Sequence, residues 1–174
     1  SLMILASDGA VERLKDHVTA LAHTIGARDR AHPEGLRRAA DHIRAAFTAA
    51  RGHVSSQTFT IGGASYENVL ARFGPPAGTR VVIGAHYDAV EDSPGADDNA
   101  SGVAGLLELA RRLGKRPPSL TIELAAYSLE ESAFATDQMG SVRHARALKQ
   151  EGVDVRLMIS LAMIGSVSYT HLRA

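Results

Sequence analysis

The sequence predicts an α/β fold: a mixed, mostly parallel sheet flanked by helices on both faces. Three patterns lead to it. From Arg80 to Ile164, segments of strand and helix character alternate, which is the pattern of parallel crossovers. Two alternating segments joined by Gly62-Gly63 precede them, a β-hairpin signal at one side of the sheet. The segment Leu120–Tyr127 is almost continuously apolar and suits a strand covered on both faces.

In chain order, Ser7 is placed to cap a first helix with Val11, Leu14, Val18, Leu21 and Ile25 on one face, and Gly26 is placed to stop it. Ala27 to Arg30 read as a short polar link. Pro33 suits the first turn of a second helix that carries Leu36, Ala40, Ile43 and Phe47 inward and ends at Gly52. His53–Phe59 and Tyr66–Phe73 form the hairpin, and the Gly- and Pro-rich stretch 74–78 is a loop. The β-branched run Val81-Val82-Ile83 makes a strand. A helix follows through Val103, Leu106, Leu107, Ala110 and Leu113, then the strand 120–127, a short helix from Gly140-Ser141 to Gly152, and a last strand Val155–Ile164.

A chain of 174 residues is expected to form one domain with a substantial core. Apolar residues are 45% of it, charged residues 22%, and the formal charge is zero, so neither nucleic acid nor an anionic membrane is an expected partner. There is no cysteine, which excludes thiolate metal sites, disulfide scaffolds and thiol nucleophiles. No apolar run approaches the ~18 residues of a membrane span. The stretch Leu2–Ala6 is too short for a signal-peptide core, which leaves the compartment open between the cytoplasm and secretion after leader removal.

Polar chemistry concentrates where two strands end. The first delivers His86 and Asp88, and after the Pro94-Gly95 turn the chain presents Asp97, Asp98 and Asn99. The strand 120–127 runs into Glu130 and Glu131. Carboxyl ends of strands are where open α/β sheets bind ligands. A histidine with several carboxylates and no cysteine favours zinc or a similar ion.

These motifs, in this order, resemble the M28 family of dizinc metallopeptidases, which includes bacterial aminopeptidases: His86-Tyr87-Asp88, then PGADDNASG at 94–102, the Glu130-Glu131 pair, Gly140-Ser141 and Met163-Ile164-Gly165. The resemblance runs from Tyr66 to Gly165. It implies that His86 ligates one zinc, that Asp88 orients its imidazole and that Asp98 bridges the two ions. It further implies Glu130 as the general base for the bridging water and Glu131 as a terminal ligand of the second zinc. The implied substrate is a peptide or aminoacyl group with a free amino end.

The sequence departs from the family pattern in two places. Ala162, within the last strand, stands where the pattern has an aspartate ligand, and the family's final histidine ligand lies on a C-terminal portion that follows Gly165 in the family and not here. Catalytic zinc normally keeps three protein ligands. The implied outcome is weak or absent occupancy by the two zinc ions, and an impaired or inactive aminopeptidase. Residues 1–165 read as an M28-like peptidase domain lacking its C-terminal strands, and 166–174 as a tail outside the pattern that does not read as a natural C-terminus, with His171 too close to the last strand to replace the histidine. Loss of those strands is expected to uncover a sheet edge and favour self-association. Two other readings stay open: a non-catalytic scaffold on the same fold, and a glutaminyl-cyclase-like acyltransferase with one zinc.

Overall fold

A computed structural model describes residues 9–166. The expected cap at Ser7, the apolar stretch 2–6 and the tail 167–174 with His171 lie outside them. The elements follow in the order α1 (Ala10–Thr19), α2 (Pro33–Ala49), β1 (His53–Ile61), β2 (Ala64–Phe73), β3 (Arg80–His86), α3 (Gly102–Lys115), β4 (Thr121–Tyr127), α4 (Gly140–Gln150) and β5 (Val155–Ser160). α1 runs on as a wider turn, Ala20–Ile25, and stops at Gly26, whose φ of 77° belongs to the left-handed region. Among the described residues no helix is long and apolar enough to cross a membrane.

The five strands form one sheet in the order β1-β2-β4-β3-β5. The hairpin partners β1 and β2 are antiparallel, and β2 meets β4 antiparallel. β4, β3 and β5 are mutually parallel, joined by α3 and α4. The sheet is therefore mixed, with the parallel part carrying the crossovers and the hairpin at one edge.

Alternation along each strand divides the core. One face packs Val69, Ala85, Leu124 and Ala126 against Leu36, Ile43 and Phe47 of α2 and Val103, Leu106 and Leu107 of α3. The opposite face packs Leu70, Val82, Ala125 and Tyr127 against Leu148 of α4. A polar row lies within this second layer: Arg80 donates to Glu123 at 3.0 Å, Glu123 lies 3.1 Å from His144 of α4, and His144 Nδ1 is 3.0 Å from the Tyr127 hydroxyl. It anchors α4 to the sheet beneath the strand ends.

The last strand is shorter than its sequence pattern. It ends at Ser160, because Leu161 donates its N–H to Gly84 and the chain is then drawn aside by the Asn99 side chain. Ala162 thus lies in a bend beyond β5 and not within the strand. β5 is the outer strand next to β3 and is exposed along its whole length, with Leu157 50%, Met158 46% and Ile159 39% accessible.

Candidate metal centre

β3 brings His86 to the carboxyl end of the sheet beside Tyr127 of β4. The approach depends on Gly84. A Cβ at that position would stand 2.4 Å from the Tyr127 ring. The His86 imidazole is held from one side, where Nδ1 lies 3.2 Å from the Asp88 carbonyl oxygen and 3.4 Å from its carboxylate. Nε2 faces the acids: Asp98 Oδ1 at 3.0 Å and Glu130 Oε2 at 4.0 Å. Burial opposes a charge on His86, but Asp88, Glu130 and Asp98 outweigh it and raise its pKa.

Asp88 has a second attachment that the sequence pattern did not suggest. Its carboxylate, 1% exposed, accepts the backbone N–H of Glu130 at 3.1 Å and of Glu131 at 3.0 Å. It thereby joins the end of β3 to the acidic loop after β4. Burial raises the pKa of both glutamates; neighbouring acids add to it, Asp88 and Asp98 at Glu130 and chiefly Asp98 and Glu130 at Glu131.

All five expected site residues, His86, Asp88, Asp98, Glu130 and Glu131, meet at the ends of β3 and β4. Donor atoms of His86, Glu130 and Glu131 all lie within 4.8 Å of one another. Ligand atoms around a tetrahedral zinc stand about 3.5 Å apart, so one ion would close this group with small side-chain movement, and Asp98 stands ready at His86 Nε2. A cavity of about 400 Å³ opens over them, lined by His86, Asp98, Tyr127, Glu130, Ala162 and Met163 among others. Ala162 reaches the site and brings no donor. Among the described residues, the donor atoms of His86, Glu130 and Glu131 are placed to fit a metal ion.

Asp97 points elsewhere. It accepts from Gly165 N at 2.9 Å, from Ser101 Oγ at 3.2 Å and from the Ser166 hydroxyl, and so ties the bend after β5 to the start of α3. Its neighbour Asn99 does the same from the other side. Asn99 follows a cis peptide, donates to Leu161 O at 2.8 Å, and accepts from Gly102 N and Met163 N. Arg28, in what reads as a polar link, is fully buried and donates to the carbonyls of Tyr87, Pro94 and Gly95 at 2.6–2.7 Å, bracing the loop that carries Asp88. No periodicity or motif marks Arg28, while the polar Asn99 beside Asp98 was visible without a role.

The family model described as Peptidase family M28 matches residues 68–172. The chain belongs to peptidase family M28. A relative, the uncharacterized protein YfbL of Escherichia coli K12, is 42% identical over 163 residues, covering 88% of this chain and 50% of that one. Leucine aminopeptidase 1 of Trichoderma harzianum is 32% identical over 117 residues, 59% of this chain and 28% of that protein. Among solved structures, the glutaminyl cyclase of Porphyromonas gingivalis superposes with a TM-score of 0.76 at 26% identity, over 88% of this chain and 59% of the other. This M28 chain spans about half the length of the Escherichia coli relative.

Proposed function

We propose that this M28 chain is a zinc-dependent exopeptidase domain of aminopeptidase type whose site takes one ion, and that hydrolysis of N-terminal peptide bonds is impaired in it as it stands. The observation that carries this reading is the cavity itself: three convergent donors on the β3–β4 side and the Ala162 methyl on the β5 side. His86 and Glu131 of that group would hold the ion, joined by Asp98, which stands 3.0 Å from His86 Nε2, and Glu130 would be left beside it as the base. Bound zinc would supply a Lewis acid that activates water and polarises the scissile carbonyl. Glu130, with its raised pKa, takes the proton of the attacking water and returns it to the leaving amine. His86 is kept in orientation by the Asp88 carbonyl and carboxylate.

The test is zinc titration of the purified chain together with turnover of leucine- and glutamine-type aminoacyl substrates. The parent should bind one zinc per chain, and Ala162→Asp should raise zinc stoichiometry and increase leucine release by at least about tenfold. If the substitution moves neither quantity, the reading fails. A one-ion donor set also suits the glutaminyl-cyclase reading, supported by the Porphyromonas gingivalis neighbour; cyclisation of an N-terminal glutamine without release of leucine would decide for it. Zinc binding with neither reaction would point to a non-catalytic scaffold.

A further inference from the structure

The acid pair sits on a loop, and a loop positions nothing unless its ends are fixed. Residues 129–139 leave β4 at Ser128 and return at Gly140, the first residue of α4. This neck is closed by Gly140 N–H donating to Ser128 O at 3.0 Å. A third residue, distant in sequence, closes it twice more. Asn68 of β2, 0% exposed, accepts the Ser128 N–H on Oδ1 at 3.1 Å and donates from Nδ2 to Gly140 O at 2.8 Å. Its other amide hydrogen goes to Gln57 Oε1 at 2.8 Å.

We propose that Asn68 is a positioning residue for Glu130 and Glu131, a buried latch that holds the neck of their loop. Two features favour a latch over a polar residue that merely fills a strand. The amide has both donors and its carbonyl engaged in a dry place, so any side chain that lacks a donor on one arm and an acceptor on the other strands the Ser128 N–H or the Gly140 carbonyl. The neck also admits no side chain at Gly140, where a Cβ would stand 2.2 Å from Asn68 Oδ1 and 2.5 Å from Ser128 O. With the Glu130 and Glu131 amides held by Asp88 and the neck beside them by Asn68, the two glutamates are fixed from β3 and from β2 at once. The Asn68 side chain lines no part of the metal cavity, so it acts through the loop.

The inference rests on the reading of Glu130 and Glu131 as base and ligand. The experiment compares the parent chain with Asn68→Asp and with Gln57→Ala, which removes the third Asn68 contact and a 3.3 Å bond to Arg143 O of α4 while leaving the three hydrogen bonds of the neck in place. Amide hydrogen exchange of residues 129–139 should quicken by about tenfold or more in Asn68→Asp, and zinc affinity should fall by ~10–100-fold. Gln57→Ala should lower Tm without either change. A folded Asn68→Asp chain with parental exchange in the loop would overturn the latch. Should that variant not fold, the parent still decides: the Ser128 and Gly140 amides must exchange far more slowly than residues 132–138, and equal rates would overturn it. Failure of the parent to bind zinc would sink the metal reading, whereas the exchange pattern would still judge the latch.

Discussion

The two sides of the metal cavity are built to different standards. On the β3–β4 side the supports of the site are cross-linked: Asp88 by the Glu130 and Glu131 amides, the neighbouring loop by buried Arg28, and the acidic loop by Asn68. On the β5 side the strand is exposed on both faces, and the cavity wall ends in Ala162 and Met163. The contrast teaches that placement and donor supply are separable. Asn99 and Asp97 tether the bend after β5 with several hydrogen bonds, so position 162 is delivered to the site with care. The delivered residue has nothing to offer a cation.

The firm side is easiest to break at Asp88. Asp88→Asn turns an amide N–H toward one of two backbone donors and removes a buried charge that faces His86, so it should cost about 2–4 kcal/mol of stability. Denaturant unfolding measures this, and a loss below about 0.5 kcal/mol would show that the two strand ends are not joined through this carboxylate. A smaller effect lies behind the site, where Glu108 of α3 accepts from Arg13 of α1 at 3.0 Å and from Arg111 and Arg112. Chiefly the Arg111 hydrogen bond, helped by Arg13 and opposed by burial, holds its pKa down to about 2. Its folded pKa is below its unfolded value, so its contribution is present above about pH 4.5 and is lost as pH falls toward 2. Glu108→Gln should therefore melt a few degrees below the parent at pH 7, and the two curves should converge near pH 2.

The loose side gives the smallest change in stability and a clear change in association. The outer edge of β5 carries no proline and no lysine, and its apolar residues face solvent, which makes it a template for pairing with a second copy. Light scattering should show a mass that rises with concentration. Leu157→Lys should reduce that rise while moving Tm by no more than about 0.5 kcal/mol equivalent. A parent that stays monomeric throughout would mean that the exposed edge does not pair.

Periodicity and motif spacing by themselves determined the order of elements, the hairpin, the parallel crossovers and the gathering of His86, Asp88, Asp97, Asp98, Glu130 and Glu131 at strand ends, while the choice of Asp98 over Asp97 came from the resemblance to the M28 pattern. Those features are local: side-chain alternation, helix repeats and turn residues act over a few neighbours, and strand ends gather whatever polar groups follow them. Tertiary structure alone decided that the last strand stops at Ser160, that Asp88 grips the acidic loop by its backbone, and that Arg28, Asn68 and Asn99 brace the site. Each of these depends on hydrogen bonds that span tens of residues, such as Asn99 to Leu161 and Asn68 to Ser128. Such a bond leaves no local pattern in a sequence, because its energy arises only when folding brings both partners into the same dry place.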